Sequence, residues 1–189
     1  MIRAGALVLA ALLVGPPVVA AASFALGPQE RTAALQAGAH SVTLDTFDAE
    51  WRVAGQSGDS VTVVTPFHRL VLAGRHAAFK NQRVKDGEPE KLLREQQDRL
   101  VIWASLHGPK VDFARFYAPR ILLGTREIEP TFVQNERTAV RTEGGGYLAR
   151  CVYGFPVKDL TPKSNLFLVV RDADGREISR FTIDLAAMR

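Results

Sequence analysis

The stretch Val61 to Arg83, VTVVTPFHRLVLAGRHAAFKNQR, constrains the fold more than any other, because it passes from strand chemistry to helix chemistry at a single residue. Val61 to Thr65 is a β-branched run that suits a pleated surface. Pro66 ends it, since proline cannot donate to a ladder but fits the first turn of a helix. Phe67, Leu70, Val71, Gly74 and Ala78 then recur at three- and four-residue steps, which is one face of a helix.

The opposite face is polar and one-signed. At 100° per residue from Phe67, the side chains of Arg69, His76, Lys80 and Arg83 fall between roughly 160° and 220°. No acidic residue occurs between Val61 and Lys85, so the helix does not neutralise itself. Charged helix faces are mostly solvated surface. Read functionally, this stripe would meet an envelope protein or an anionic surface such as lipid headgroups or lipopolysaccharide.

The first 22 residues read as an export signal. A single charge at Arg3 precedes an unbroken apolar run from Ala4 to Val14, a Gly15-Pro16-Pro17 break, and the small residues Ala20, Ala21 and Ala22. That pattern predicts cleavage before Ser23 and a periplasmic or secreted location. A retained membrane anchor is the competing reading, and the adjacent prolines argue against it. The expected mature chain therefore has no stable transmembrane span. Cys151 is the sole cysteine, so no internal disulfide can form. The alternation of Tyr147, Ala149, Cys151 and Tyr153 places it on one face of a strand, where a free thiol is usually buried and inert.

The chain carries 24 Lys and Arg against 20 Asp and Glu, and loss of Arg3 with the signal leaves 23 basic residues. So mild an excess, on an exported chain, argues against nucleic-acid binding. Hydrophobic residues make up 47%, enough for one core without disulfide support.

Along the chain, residues 23–40 read as a flexible, Ala-rich lead-in with one or two helical turns from Pro28 to Gln36. Ser41 to Phe47 reads as a strand by its Val42, Leu44, Thr46 alternation, continued by Trp51 to Val53. A second helix, Pro89 to Arg99, carries Glu90 with Arg94 and Glu95 with Arg99 at favourable four-residue spacing. Leu100 to Leu106, centred on Trp103, reads as the best buried strand. Shorter extended segments follow at Arg120 to Leu123 and Thr131 to Gln134. Two hairpins close the chain, one turning at Glu143-Gly144-Gly145-Gly146 and one at Asp172-Ala173-Asp174-Gly175. Short strands at hairpin spacing around one helical region predict a mainly β, antiparallel, immunoglobulin-like β-sandwich over residues 41–189, with a helical hairpin inserted at about 66–99.

Motifs for catalysis are missing. Gly144-Gly145-Gly146 has no following Lys-Ser or Lys-Thr, no G-x-S-x-G elbow occurs, and the Asp172 to Gly175 turn fails the register of a calcium loop. No cofactor is implied. His68 and His76 are two helical turns apart, about 12 Å, and cannot share one metal. A metal or hydrolase site would have to be assembled by the fold from His40, His68, His107 and Cys151. The favoured expectation is an exported, non-enzymatic binding or scaffolding module, with an envelope hydrolase or metal-binding protein as the alternative.

Overall fold

The structure, a computed structural model, describes residues 23–189. The signal-peptide reading falls on residues 1–22, outside the described residues. Among the described residues the chain is mostly β, with two antiparallel sheets and three α-helices.

The first sheet is built from β1 (Arg52–Ala54), β2 (Ser60–Val64), β3 (Arg99–Gly108), β6 (Phe132–Gln134), β7 (Val140–Arg141) and β8 (Tyr147–Pro156). Its order is β1-β2-β3-β8-β6, with β7 also on β8. The second sheet takes β4 (Ala118–Leu123), β5 (Arg126–Ile128), β9 (Asn165–Arg171) and β10 (Glu177–Asp184), in the order β10-β9-β4-β5. Both expected hairpins form. Val140 faces Leu148 across the glycine turn, and β9 and β10 pair along their length. At the second turn Gly175 has φ +81°, and the Asp172 carboxylate accepts from the amides of Asp174 and Arg176, each at 2.9 Å.

Period-two burial decides which face is core. In β3, Leu100, Ile102, Ala104 and Leu106 are buried, and in β8 so are Ala149, Cys151, Tyr153 and Phe155. These belong to one hydrophobic cluster with Ile121, Leu166, Leu168, Phe181 and Ile183 of the second sheet. Trp103, expected at the centre of a buried run, points the other way and is 37% exposed. A strand sealed on one face alone buries alternate side chains, however apolar the run.

The three helices pack at this same hydrophobic cluster, which takes in Ala34 of the first and Phe67, Leu70 and Val71 of the second, with Leu92 and Leu93 of the third against it. They are α1 (Pro28–His40), α2 (Pro66–Phe79) and α3 (Glu88–Gln96). At the head of α2, Pro66 is the first helical residue, and the Thr65 hydroxyl caps it by accepting from the His68 amide at 3.1 Å. Phe67, Leu70, Val71 and Gly74 are buried, whereas Ala78 is half-buried. The side chain of Gln96 in α3 donates to the Val64 carbonyl of β2, tying that helix to the sheet.

Two readings of the N-terminal region are corrected here. Residues 28–40, expected as a weakly structured lead-in, form a full helix that packs on α2. Its buried face is Ala34 and Gly38, small residues that let backbones meet: a Cβ on Gly38 would fall on the Val71 carbonyl oxygen, and one on Gly74 on that of Leu35. Ser41 to Phe47, expected as a strand, is a series of turns. Ser41 satisfies the end of α1, its hydroxyl donating to the Gly38 carbonyl at 2.8 Å, and Leu44 stays exposed with no strand beside it. Among the described residues no helix is long and apolar enough to cross a membrane.

Because the contact between α1 and α2 is backbone against backbone, Gly38→Ala is expected to cost about 1–3 kcal/mol, the usual scale of overpacking. Thermal melts check the loss, and limited proteolysis should show new cleavage within residues 28–40.

Candidate functional site: a cationic groove at the helical hairpin

The loop from α2 to α3 leaves a groove of about 590 Å3 between the two helices. Lys80 and Arg83 reach it from the end of α2 and the loop, Lys85 from the loop, and Lys91 and Arg94 from α3. Asp86 and Glu88 are the two carboxylates on its wall. Lys91 is within 3.9 Å of Glu95. Among the described residues Lys80, Arg83, Lys85 and Arg94 have no acidic partner within 4.0 Å, so most of this charge faces solvent uncompensated.

Three members of the expected stripe therefore share this groove, namely His76, Lys80 and Arg83. The fourth does not. Arg69 is turned toward α3 and lies 4.0 Å from Glu95, which draws its charge into the hairpin. The pairing expected within α3 is also rearranged. Glu90 is taken by Arg31 of α1 at 3.6 Å, and Arg99 donates to the Glu95 main-chain carbonyl, at 3.0 Å. Arg94 is left without Glu90 and enters the groove. Lys91 and Arg94 were missed as site residues. Their three-residue spacing on one face of α3 was legible, but which carboxylates would be occupied depended on α1.

A second groove, about 480 Å3, adjoins the first and shares Ala73, His76 and Glu88 with it. It is apolar, with Leu72, Leu92 and Trp103 along it and Phe79, 75% exposed, at its edge. Arg75 lies to one side, its guanidinium stacked 4.0 Å over the Phe47 ring.

The histidines and the cysteine proposed as an alternative site are not brought together. His40 is exposed at the end of α1, and Cys151 is buried in the core. His107 points to the face of β3 opposite the buried Leu106. Among the described residues no three His, Cys, Asp or Glu side chains form a group that would hold a metal ion. Burial pushes the Cys151 thiol pKa up, which keeps it protonated and unreactive.

The structure does gather His107, Asp59 and Ser179. The buried Asp59 carboxylate accepts from the His107 amide at 2.7 Å and lies 3.3 Å from its Nδ1, while its other oxygen accepts from the Ser179 hydroxyl. The order is wrong for activating a nucleophile, because the carboxylate sits between serine and histidine and the imidazole is not the serine's partner. The cluster instead joins β3 of the first sheet to β10 of the second.

His68, in the first turn of α2, is fully buried, with its ring stacked on Trp51 at 4.2 Å and 11°. Among the described residues neither ring nitrogen has a hydrogen-bond partner. Burial lowers its pKa from 6.5 to about 4, against weaker opposite pulls from the Val63 carbonyl and Asp48. The group is a structural, neutral imidazole.

No family model matches the chain, and no curated protein matches it. A solved structure of a novel protein of unknown function from Burkholderia pseudomallei K96243 is similar to it with a TM-score of 0.44 and 7% identity, covering 86% of this chain and 91% of that one.

His68 makes stability pH-dependent with a definite sign. The unfolded chain takes up a proton near pH 6.5 and the native chain only near pH 4, so the stabilisation is complete above about 6.5 and is lost as pH falls toward 4. The full loss is roughly 3 kcal/mol at 1.36 kcal/mol per unit. Urea melts from pH 7 to pH 4 should show this slope in the native protein, and the His68→Phe variant should show a distinctly shallower one.

Proposed function

We propose that the chain is an exported, non-enzymatic binding or scaffolding module of the cell envelope, in which an immunoglobulin-like β-sandwich presents a helical hairpin to an anionic partner surface. The observation that carries this reading is the groove between α2 and α3, where Lys80, Arg83, Lys85 and Arg94 lie together and, among the described residues, have no acidic partner within 4.0 Å. Unpaired cations crowded on one surface repel one another, and an anionic surface relieves that repulsion as it binds. The signal-like N-terminus supplies the envelope address. The alternative, an envelope hydrolase or metal-binding protein, finds its one geometric support in the Asp59 and His107 pair, with the serine wrongly placed for catalysis.

Binding to vesicles containing anionic lipid, or to lipopolysaccharide, tests the reading. Juxtamembrane basic residues contribute about 1 kcal/mol each near such surfaces, so Lys80→Glu with Arg83→Glu should lower binding by at least about tenfold. Arg69→Glu, altering a cation already held by Glu95, should have a smaller effect. Binding should weaken steeply between 0.1 and 1 M salt, as the screening length shrinks from about 10 Å to about 3 Å. Salt-insensitive binding that the double reversal leaves unchanged would exclude this surface.

A further inference from the structure

The cationic groove does not stand alone. It opens along the Ala73 to His76 edge of α2 into the apolar groove walled by Leu72, Leu92 and Trp103. Both volumes fall within the roughly 300–1,000 Å3 of small-molecule sites. The two halves differ in chemistry: in one, ammonium and guanidinium groups outnumber the carboxylates of Asp86 and Glu88, and in the other aromatic and aliphatic side chains predominate. A ligand that satisfies both at once must be amphipathic, with a negative end and an apolar end. Phe79 stands 75% exposed beside the unpaired Lys80, an exposure that costs free energy in water and is relieved by contact with a hydrocarbon chain. Trp103, on the face of β3 that the second sheet does not cover, offers a flat side for the same chain.

We infer that the joined grooves form a binding site for a single-chain anionic amphiphile, with its carboxylate or phosphate head among Lys80, Arg83, Lys85 and Arg94 and its alkyl chain along Leu72, Leu92 and Trp103. This rests on the anionic-partner reading above and narrows it from a surface to a ligand class. Charge complementarity fixes the orientation of the ligand. Head-first entry into the apolar groove would strip an anion of water beside the Glu88 carboxylate, with Arg69 next to Glu95 and Arg75 stacked on Phe47.

The two tryptophans supply the test. Trp103 lines the apolar groove, whereas Trp51 is buried against His68 and Phe67. Titrating the full chain with 12-bromododecanoate below its micelle concentration should give saturable quenching that disappears in Trp103→Phe. Lys80→Glu with Arg83→Glu should weaken the apparent affinity at least about fivefold, and so should Phe79→Asp, which alters an exposed residue and leaves the core untouched. Dodecyl phosphate should compete, and the uncharged dodecyl maltoside should compete at least about tenfold more weakly. Absence of saturable quenching, or equal competition by the uncharged detergent, overturns the inference. Quenching by brominated lipid in vesicles with none by the free acid would make this face a membrane contact and overturn it as well. Should salt-sensitive vesicle binding survive in such a case, the anionic-surface reading stands while the ligand site falls; loss of both removes both.

Discussion

The contact between α1 and α2 governs the helical side of this molecule. Two glycines, Gly38 and Gly74, let each helix backbone press against a carbonyl of the other, so α2 cannot rotate about its axis or slide along α1. Its N-terminus is fixed independently, by Pro66 a single residue beyond β2 and by the Thr65 cap between them. A helix held at its end and along its flank has one face left to present. That face carries His76 and Lys80 on to the loop and α3, and it sets where both grooves open.

The electrostatics of the groove follow from competition for carboxylates. In isolation α3 would pair Glu90 with Arg94, but α1 delivers Arg31 to Glu90. Glu95 lies near both Lys91 and Arg69. Two acids are thereby drawn to other cations, and the cations beside the loop keep their charge. Exposed pairs of this kind contribute little to stability. Their larger effect is on which charges remain to act on a partner.

Much of the β architecture was legible from local chemistry. The β-branched run ending at Pro66, the glycine turns and the alternation around Cys151 all act through near neighbours, and the strands lie where those signals place them. What was not legible depended on distant segments. The face α1 buries is Ala and Gly, which offers almost no hydropathy contrast, so the helix reads as a lead-in until α2 is beside it. Ser41 to Phe47 has strand-like alternation but no partner strand. The stripe on α2 was visible as a period, and three of its four residues, His76, Lys80 and Arg83, share the groove. The diversion of Arg69 to Glu95 and the release of Arg94 required the placement of all three helices.

The position of Cys151 bears on how the chain reaches this state. It pairs across the sheet with Ala104, far away in sequence, and its side chain lies in the hydrophobic cluster shared with the second sheet, so its thiol is shielded once the two sheets have packed. Contacts of such separation form late, because the intervening chain must first lose its freedom. Until then the lone thiol is open to any oxidant or second chain, and it has no internal partner to capture it. In oxidising surroundings the yield of folded protein is thus a race between packing of the two sheets and intermolecular thiol chemistry.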